Sequence, residues 1–248
     1  MQKWEDSGIV ISVSRYGEQS AIVRLLTEHH GLFPAMVKGV YSKTGRGIYQ
    51  PGNRVHAVWQ ARLEEQLGQF RCELLESCTM QLLANPLSLH TMNAVSGLVG
   101  VCVPERINER FMYLSLMGLC AIVNERDSAP EPLLAAYARF EYTLLQALGF
   151  GLDLTECAAT GSKNMAELVY VSPKSGRAVS RDAGEPYKDR MLPLPEFFKD
   201  ETIAPDMRQI LDGVVLTGYF LEGWVLQPEG KKMPDARHHL IQYIKNIK

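Results

Sequence analysis

The 248-residue sequence has no apolar run near the roughly 18 residues that would cross a bilayer. Its opening, Met1 to Asp6, leads into an alternating pattern and not into an apolar leader segment, so a cytoplasmic chain is expected. Cysteine is sparse: Cys72, Cys78, Cys102, Cys120 and Cys157 are odd in number and scattered, which excludes a disulfide frame and suggests reduced, buried thiols. Neither sign of charge dominates, the formal net charge being −2. A nucleophile elbow, a Walker loop, a dinucleotide glycine fingerprint and an HExxH pair are all missing, as are internal repeats and low-complexity tracts. No cofactor is implied, and a non-catalytic protein is expected.

What charge there is lies unevenly. Residues 1–62 hold eight cations (Lys3, Arg15, Arg24, Lys38, Lys43, Arg46, Arg54, Arg62) against Glu5, Asp6, Glu18 and Glu28, a net +4, which leaves −6 for the remainder. A basic head on an acidic body points to a polyanion as the head's partner. The same region alternates as strands do. "GIVISVSRYGEQSAIVRLLT" gives two runs around the turn Tyr16-Gly17-Glu18, "GLFPAMVKGV" a third, and "RVHAVWQARLEEQLGQFRCELLES" a fourth and fifth joined near Gly68. Five short strands in about 80 residues suggest a small antiparallel barrel, of OB-fold or SH3-like kind.

Between the third and fourth strands, "KGVYSKTGRGIYQPGN" (38–53) mixes four glycines with Lys38, Lys43, Arg46, Tyr41 and Tyr49. Glycine predicts a mobile loop, and cations interleaved with aromatics suit a nucleic-acid strand, through phosphate attraction and base stacking. Lys43-Thr44 is no phosphate loop, because Ser42 precedes the lysine where glycine is required. The nucleic-acid-contacting set expected here is Arg15, Arg24, Lys38, Lys43, Arg46 and Arg54, with Tyr41 and Tyr49 as stacking partners. The histidine pairs His29-His30 and His238-His239 suggest metal binding only faintly, since sequence neighbours point apart on a helix or strand.

Residues 79–152 read as helices. One has an apolar face of Ile107, Phe111, Leu114, Met117, Leu119, Ala121 and Ile122. Another starts at Pro130-Glu131, stops at Gly149 and Gly151, and has a face of Leu133, Leu134, Tyr137, Phe140, Leu144 and Leu148. Residues 203–248 return to helix, with Asp206 at a start and Leu211, Val214, Val215 and Leu221 expected to be buried. The stretch between carries "CAATG", two short strand signals and the proline-ordered "LPLPEFF".

In combination and order, "DSGIVISVSRYGEQSAIVRLLTEHHGLFPAMVKGV", "LQALGFGLDLTECAATG" and "LVYVSPKSGRAVSRDAG" resemble the DNA repair protein RecO family. The resemblance implies an α+β chain: an OB-fold domain at 1–78, a helical domain at 79–152 and 203–248, and a zinc-finger-like insertion at 153–202. Zinc-bearing members carry two cysteine pairs in that insertion. Here the first pair falls on Cys157 and Thr160 and the second near Ser180 and Ala183, so only one ligand remains of the four that a structural zinc wants. A metal-free descendant is expected, held by packing of Leu168, Val169, Tyr170, Val171 and "LPLPEFF".

The resemblance further implies a nucleoid-associated recombination mediator. Such a protein binds single- and double-stranded DNA, anneals complementary strands, partners RecR, and helps load RecA onto DNA coated by single-strand-binding protein. The alternative reading is an adaptor with little DNA affinity, whose helical domain receives the acidic, apolar carboxyl-terminal tail of single-strand-binding protein. Arg106, Arg110, Arg126 and Arg139 are the cations expected to rim that groove.

Overall fold

Strand β1 (Gln2–Tyr16) is long enough to serve two neighbours. Its first half pairs antiparallel with β4 (Arg54–Ala61), from Gln2↔Ala61 to Ile9↔Arg54; its second half pairs with β2 (Ser20–Thr27), ending at Tyr16↔Ser20. An irregularity between Val10 and Ser12 bends it, as an extra residue in one strand does. β2 pairs with β3 (Gly31–Lys38), β4 pairs with β5 (Gln69–Glu76), and a parallel contact at Met36↔Gln69 closes the barrel in the order β1-β2-β3-β5-β4. The computed structural model describes residues 1–125 and 129–247.

All five strands cover the stretches where they are expected, β1 starting earlier, at Gln2. The barrel interior is Val10, Val23, Leu25, Phe33, Val55, Trp59 and Phe70. On β4 the alternation is strict, with Val55, Ala57, Trp59 and Ala61 inward. On β1 it fails: Ile9, Val10 and Ile11 are all buried, because helices α3 (Pro86–Cys102) and α4 (Arg110–Asn124) cover the outer face.

The segment 38–53 is not a mobile loop. It contains α1 (Lys43–Ile48), whose first turn is capped by the Ser42 hydroxyl accepting from Gly45 N–H at 3.0 Å. Glycine serves close approach here: a Cβ on Gly45 would stand 2.4 Å from Gly39 O and 2.6 Å from Val40 O.

The chain divides into two compact units, Met1–Arg126 with Pro234–Lys248, and Asp127–Met233. This division differs from the one expected. The final helix, α8 (Asp235–Asn246), joins the barrel's unit, where it packs on α3 with the His90 and Tyr243 rings 4.9 Å apart. That unit also holds α2 (Thr79–Ala84). α4 turns a different face inward than periodicity suggests. Met112, Tyr113, Leu116, Leu119, Cys120 and Val123 are buried, while Ile107, Phe111 and Leu114 are exposed. The helix is apolar nearly all round, so spacing alone cannot tell which face meets β1.

The second unit holds α5 (Pro130–Ala147), β6 (Leu168–Val171), β7 (Ala178–Ser180), the single turn α6 (Arg181–Gly184), β8 (Leu192–Pro193) and α7 (Met207–Phe220). The three strands form one small sheet in the order β7-β6-β8. Asp206 caps α7 as expected, accepting from Gln209 N–H at 2.8 Å; Val214 and Leu221 are buried, Leu211 is half-buried, and Val215 is exposed. Glu141 is the feature with no sequence signal. This fully buried carboxylate accepts from the hydroxyls of Tyr137 and, at 2.5 Å, Thr217, joining α5 to α7. Among the described residues no helix is long and apolar enough to cross a membrane.

Candidate nucleic-acid interface

The β1–β2 turn, the end of β3 and α1 meet at one end of the barrel. Lys38 pairs with Ser20, Gly39 N–H donates to Gln19 O at 2.8 Å, and Ser42 N–H donates to Gly39 O at 3.1 Å. These bonds place Arg15 on β1, Lys38 on β3, and Lys43 and Arg46 on α1 toward one end of the barrel, all four exposed. Glu18 lies exposed on the β1–β2 turn at the same end. Arg15 is steadied by donating to Gly17 O at 3.2 Å. Tyr16 stands 55% exposed next to it at the strand's end. Cations and an exposed aromatic at one end of a barrel can attract phosphates and stack a base.

Asn53, read from sequence as loop, positions this end. It is fully buried. Its amide donates to Gly47 O at 2.9 Å and Ile48 O at 3.1 Å, at the end of α1. Its Oδ1 accepts from Ser77 Oγ (3.1 Å), Cys78 N–H (3.3 Å) and Thr79 Oγ1 (3.3 Å), at the junction of β5 and α2.

The other expected contacts fall elsewhere. Tyr49 is a core residue, not a stacking partner. It sits in the barrel's apolar cluster against Cys72, and burial holds its hydroxyl well above the usual tyrosine range. Tyr41 is half-buried against the same cluster. Arg24 is spent on structure, donating to Gly100 O at 3.0 Å and pairing with Glu105 at 3.0 Å. Arg54 pairs with Glu76 at 3.4 Å and lies outside the group.

The described arginines expected to rim one groove are divided between the two units, and each has partners of its own. Arg106 lies over the Phe33 ring at 4.7 Å and donates to Glu64 O (2.7 Å) and Gln66 O (2.8 Å), pinning the β4–β5 turn. Arg110 pairs with Glu28 at 2.9 Å. Arg139 belongs to the second unit, 5.2 Å over Phe197 and donating to Glu201 O and Ile203 O. Arg126 lies outside the described residues.

In the 153–202 segment, three of the four positions aligned with zinc ligands do meet. The Cys157 sulfur accepts Ser180 N–H at 3.2 Å and lies 3.3 Å from Ser180 Oγ, with the Thr160 hydroxyl and Ala159 N–H also bonding it. One thiol and two hydroxyls do not suit zinc, and Ala183 offers no donor atom. Hydrogen bonds hold these residues together. Burial would raise the thiol's pKa, but these four donors outweigh it and bring it down to about 6. Packing contributes as well: Leu168, Val171, Leu194 and Phe197 are buried, while Val169 and Tyr170 are only half-buried. A Cβ on Gly213 of α7 would meet Phe197 at 3.0 Å.

A thiol depressed in the folded state adds stability above its unfolded pKa, and that contribution fades as pH falls toward 6. We therefore expect the wild-type protein to gain up to about 1 kcal/mol per pH unit between pH 6 and 9, relative to Cys157→Ala. Urea melts of both proteins across that range check this; parallel pH profiles would refute the thiolate's role.

Residues 1–78 match the family model described as recombination protein O N terminal, and residues 91–222 match recombination protein O C terminal. Curated relatives named "DNA repair protein RecO" include those of Beijerinckia indica (42% identical over 95% of this chain and 92% of the relative), Methylobacterium nodulans (42%, 95% and 95%) and a Bradyrhizobium species (42%, 98% and 96%).

Proposed function

The chain belongs to the recombination protein O family, and on that premise we propose that it is a DNA repair and recombination mediator that grips DNA through its amino-terminal barrel. The observation that carries this reading is the gathering of Arg15, Lys38, Lys43, Arg46 and Tyr16 at one end of the barrel. The strand order and closure support an OB-fold, whose loop between strands 1 and 2 belongs to its oligonucleotide-binding face. The β4–β5 turn carries Glu64 and Glu65, which repel phosphates. The bound strand therefore follows the β1–β2 turn, the end of β3 and α1.

Neutralising phosphates on two strands at once lowers their mutual repulsion, and this is how a non-catalytic protein anneals complements. Partnership with RecR and delivery of RecA to DNA coated by single-strand-binding protein complete the proposed role. The test is fluorescence anisotropy of a labelled single-stranded oligonucleotide over a salt series. Four phosphate contacts give a log–log slope of about −3; a salt-flat isotherm removes the barrel from the proposal.

One observation favours a second activity, reception of the tail of single-strand-binding protein. α4 presents Phe111 (79% exposed) and Leu114 to solvent, next to Arg110, a match for an acidic, apolar peptide. Phe111→Ala combined with Arg110→Glu is expected to weaken tail-peptide binding at least about tenfold, by loss of an aromatic anchor and a charge contact. Unchanged peptide binding by calorimetry would take this face out of the reading.

A further inference from the structure

His29 and His30 do not point apart, because they sit in the β2–β3 turn and not on a strand; both rings converge on Asp6 of β1. His29 Nδ1 lies 3.0 Å from Asp6 Oδ1, and His30 Nδ1 lies 2.8 Å from Asp6 Oδ2. The backbone N–H groups of Ser7 (2.8 Å) and His29 (2.9 Å) fix the same carboxylate. Asp6 is buried, which would raise its pKa, but the bonds from His30, His29 and the two N–H groups prevail and keep it below the usual range. Glu28 completes the group, its Oε1 3.9 Å from His29 Nε2. One ligand atom each from Asp6, Glu28 and His29 lie within 4.8 Å of one another.

We propose that Asp6, Glu28 and His29 form a site for a divalent transition ion of the zinc class, with a fourth position open to water or to a ligand. The donor set is one imidazole and two carboxylates, a mixture that suits zinc or cobalt better than calcium or magnesium, which favour oxygen alone. Ligand atoms about 2.1 Å from a tetrahedral ion stand about 3.4 Å apart. One ligand atom from each of the three residues already lies within 4.8 Å of the others, so closing on an ion takes shifts of the His29 and Glu28 side chains. The side chain of His29 is 59% exposed and free to adjust, and it gives the ion a path from solvent. Asp6 stays fixed. His30, stacked on Trp4 with ring centroids 3.9 Å apart and planes at 8°, holds the other carboxylate oxygen and orients it, as outer-shell partners of metal ligands do. Binding takes Glu28 from Arg110 and so competes with that ion pair.

The experiment is titration of the full chain with Co²⁺, read by its visible absorption, and with Zn²⁺ by calorimetry. The expected result is one saturable site with Kd of about 10 µM or tighter at pH 7.5, with tetrahedral-type bands. Both His29→Gln and Glu28→Gln should lose at least about tenfold in affinity while melting normally without metal. Arg110→Gln, which frees Glu28, should bind as well as wild type or better. The exposed pair on α8 serves as control, and the double variant His238→Ala/His239→Ala should bind unchanged. Absence of a saturable site overturns the proposal. So does binding that survives His29→Gln, or binding that disappears with His238 and His239.

Discussion

Joint replacement of Lys38, Lys43 and Arg46 by glutamate is expected to lower affinity for single-stranded DNA about a hundredfold or more at low salt. It should also flatten the salt slope by about 2, since each lost phosphate contact on a single strand removes about 0.7. A hundredfold is about 2.7 kcal/mol, less than 1 kcal/mol per charge reversed. All three side chains are exposed, so the fold should tolerate the change to within the small effects usual at surfaces. A glutamate at position 43 even favours the start of α1, where the helix end is positive. Lys163→Glu, an exposed reversal outside the barrel, serves as control and should leave binding unaltered. Tyr16→Ala should weaken binding by about 1–3 kcal/mol if a base stacks there. A triple variant that binds and responds to salt as wild type does would remove this end of the barrel from the DNA path.

Asn53→Ala should destabilise the barrel's unit by about 4 kcal/mol. The substitution strips five hydrogen bonds from a fully buried position, leaving two carbonyls at the end of α1 and the Cys78 N–H without this partner. Each buried polar group left unsatisfied costs about 1–3 kcal/mol, and entering water restores some of it. Asn53→Asp keeps the acceptor but turns an anion toward the two carbonyls, so it should do no better. Urea unfolding followed by tryptophan fluorescence reads the loss, since Trp4 and Trp59 report on the barrel. Faster protease cleavage within 38–50, and weaker DNA binding from a displaced Lys43 and Arg46, should accompany it. An unchanged midpoint would mean that α1 is held by other contacts.

Much of the barrel is legible in the residues themselves. The alternation of Val55, Ala57, Trp59 and Ala61 fixes which side of β4 faces inward, and the turns at Tyr16-Gly17-Glu18 and near Gly68 fix where strands end. Capping signals likewise mark α7 at Asp206 and α5 at Pro130. The site was less legible. Basic residues in the first 62 positions are visible as a count, but the count cannot separate Lys43, exposed on α1, from Arg24, tied to Glu105. Tyr16 and Tyr49 each neighbour a glycine-rich turn; one is exposed at a strand end and the other closes the core.

The sequence by itself determined the local periods, the strand and helix starts, and the basic character of the head. These depend on residues near one another in the chain, where side-chain direction follows from backbone geometry. Only the tertiary structure decided which cations are free, which face of α4 is buried, that Asn53 ties α1 to the β5–α2 junction, and that Asp6 gathers His29 and His30. Each of those depends on a partner twenty or more residues away. Pairing across such distances is set by how the barrel closes, and no local pattern encodes it.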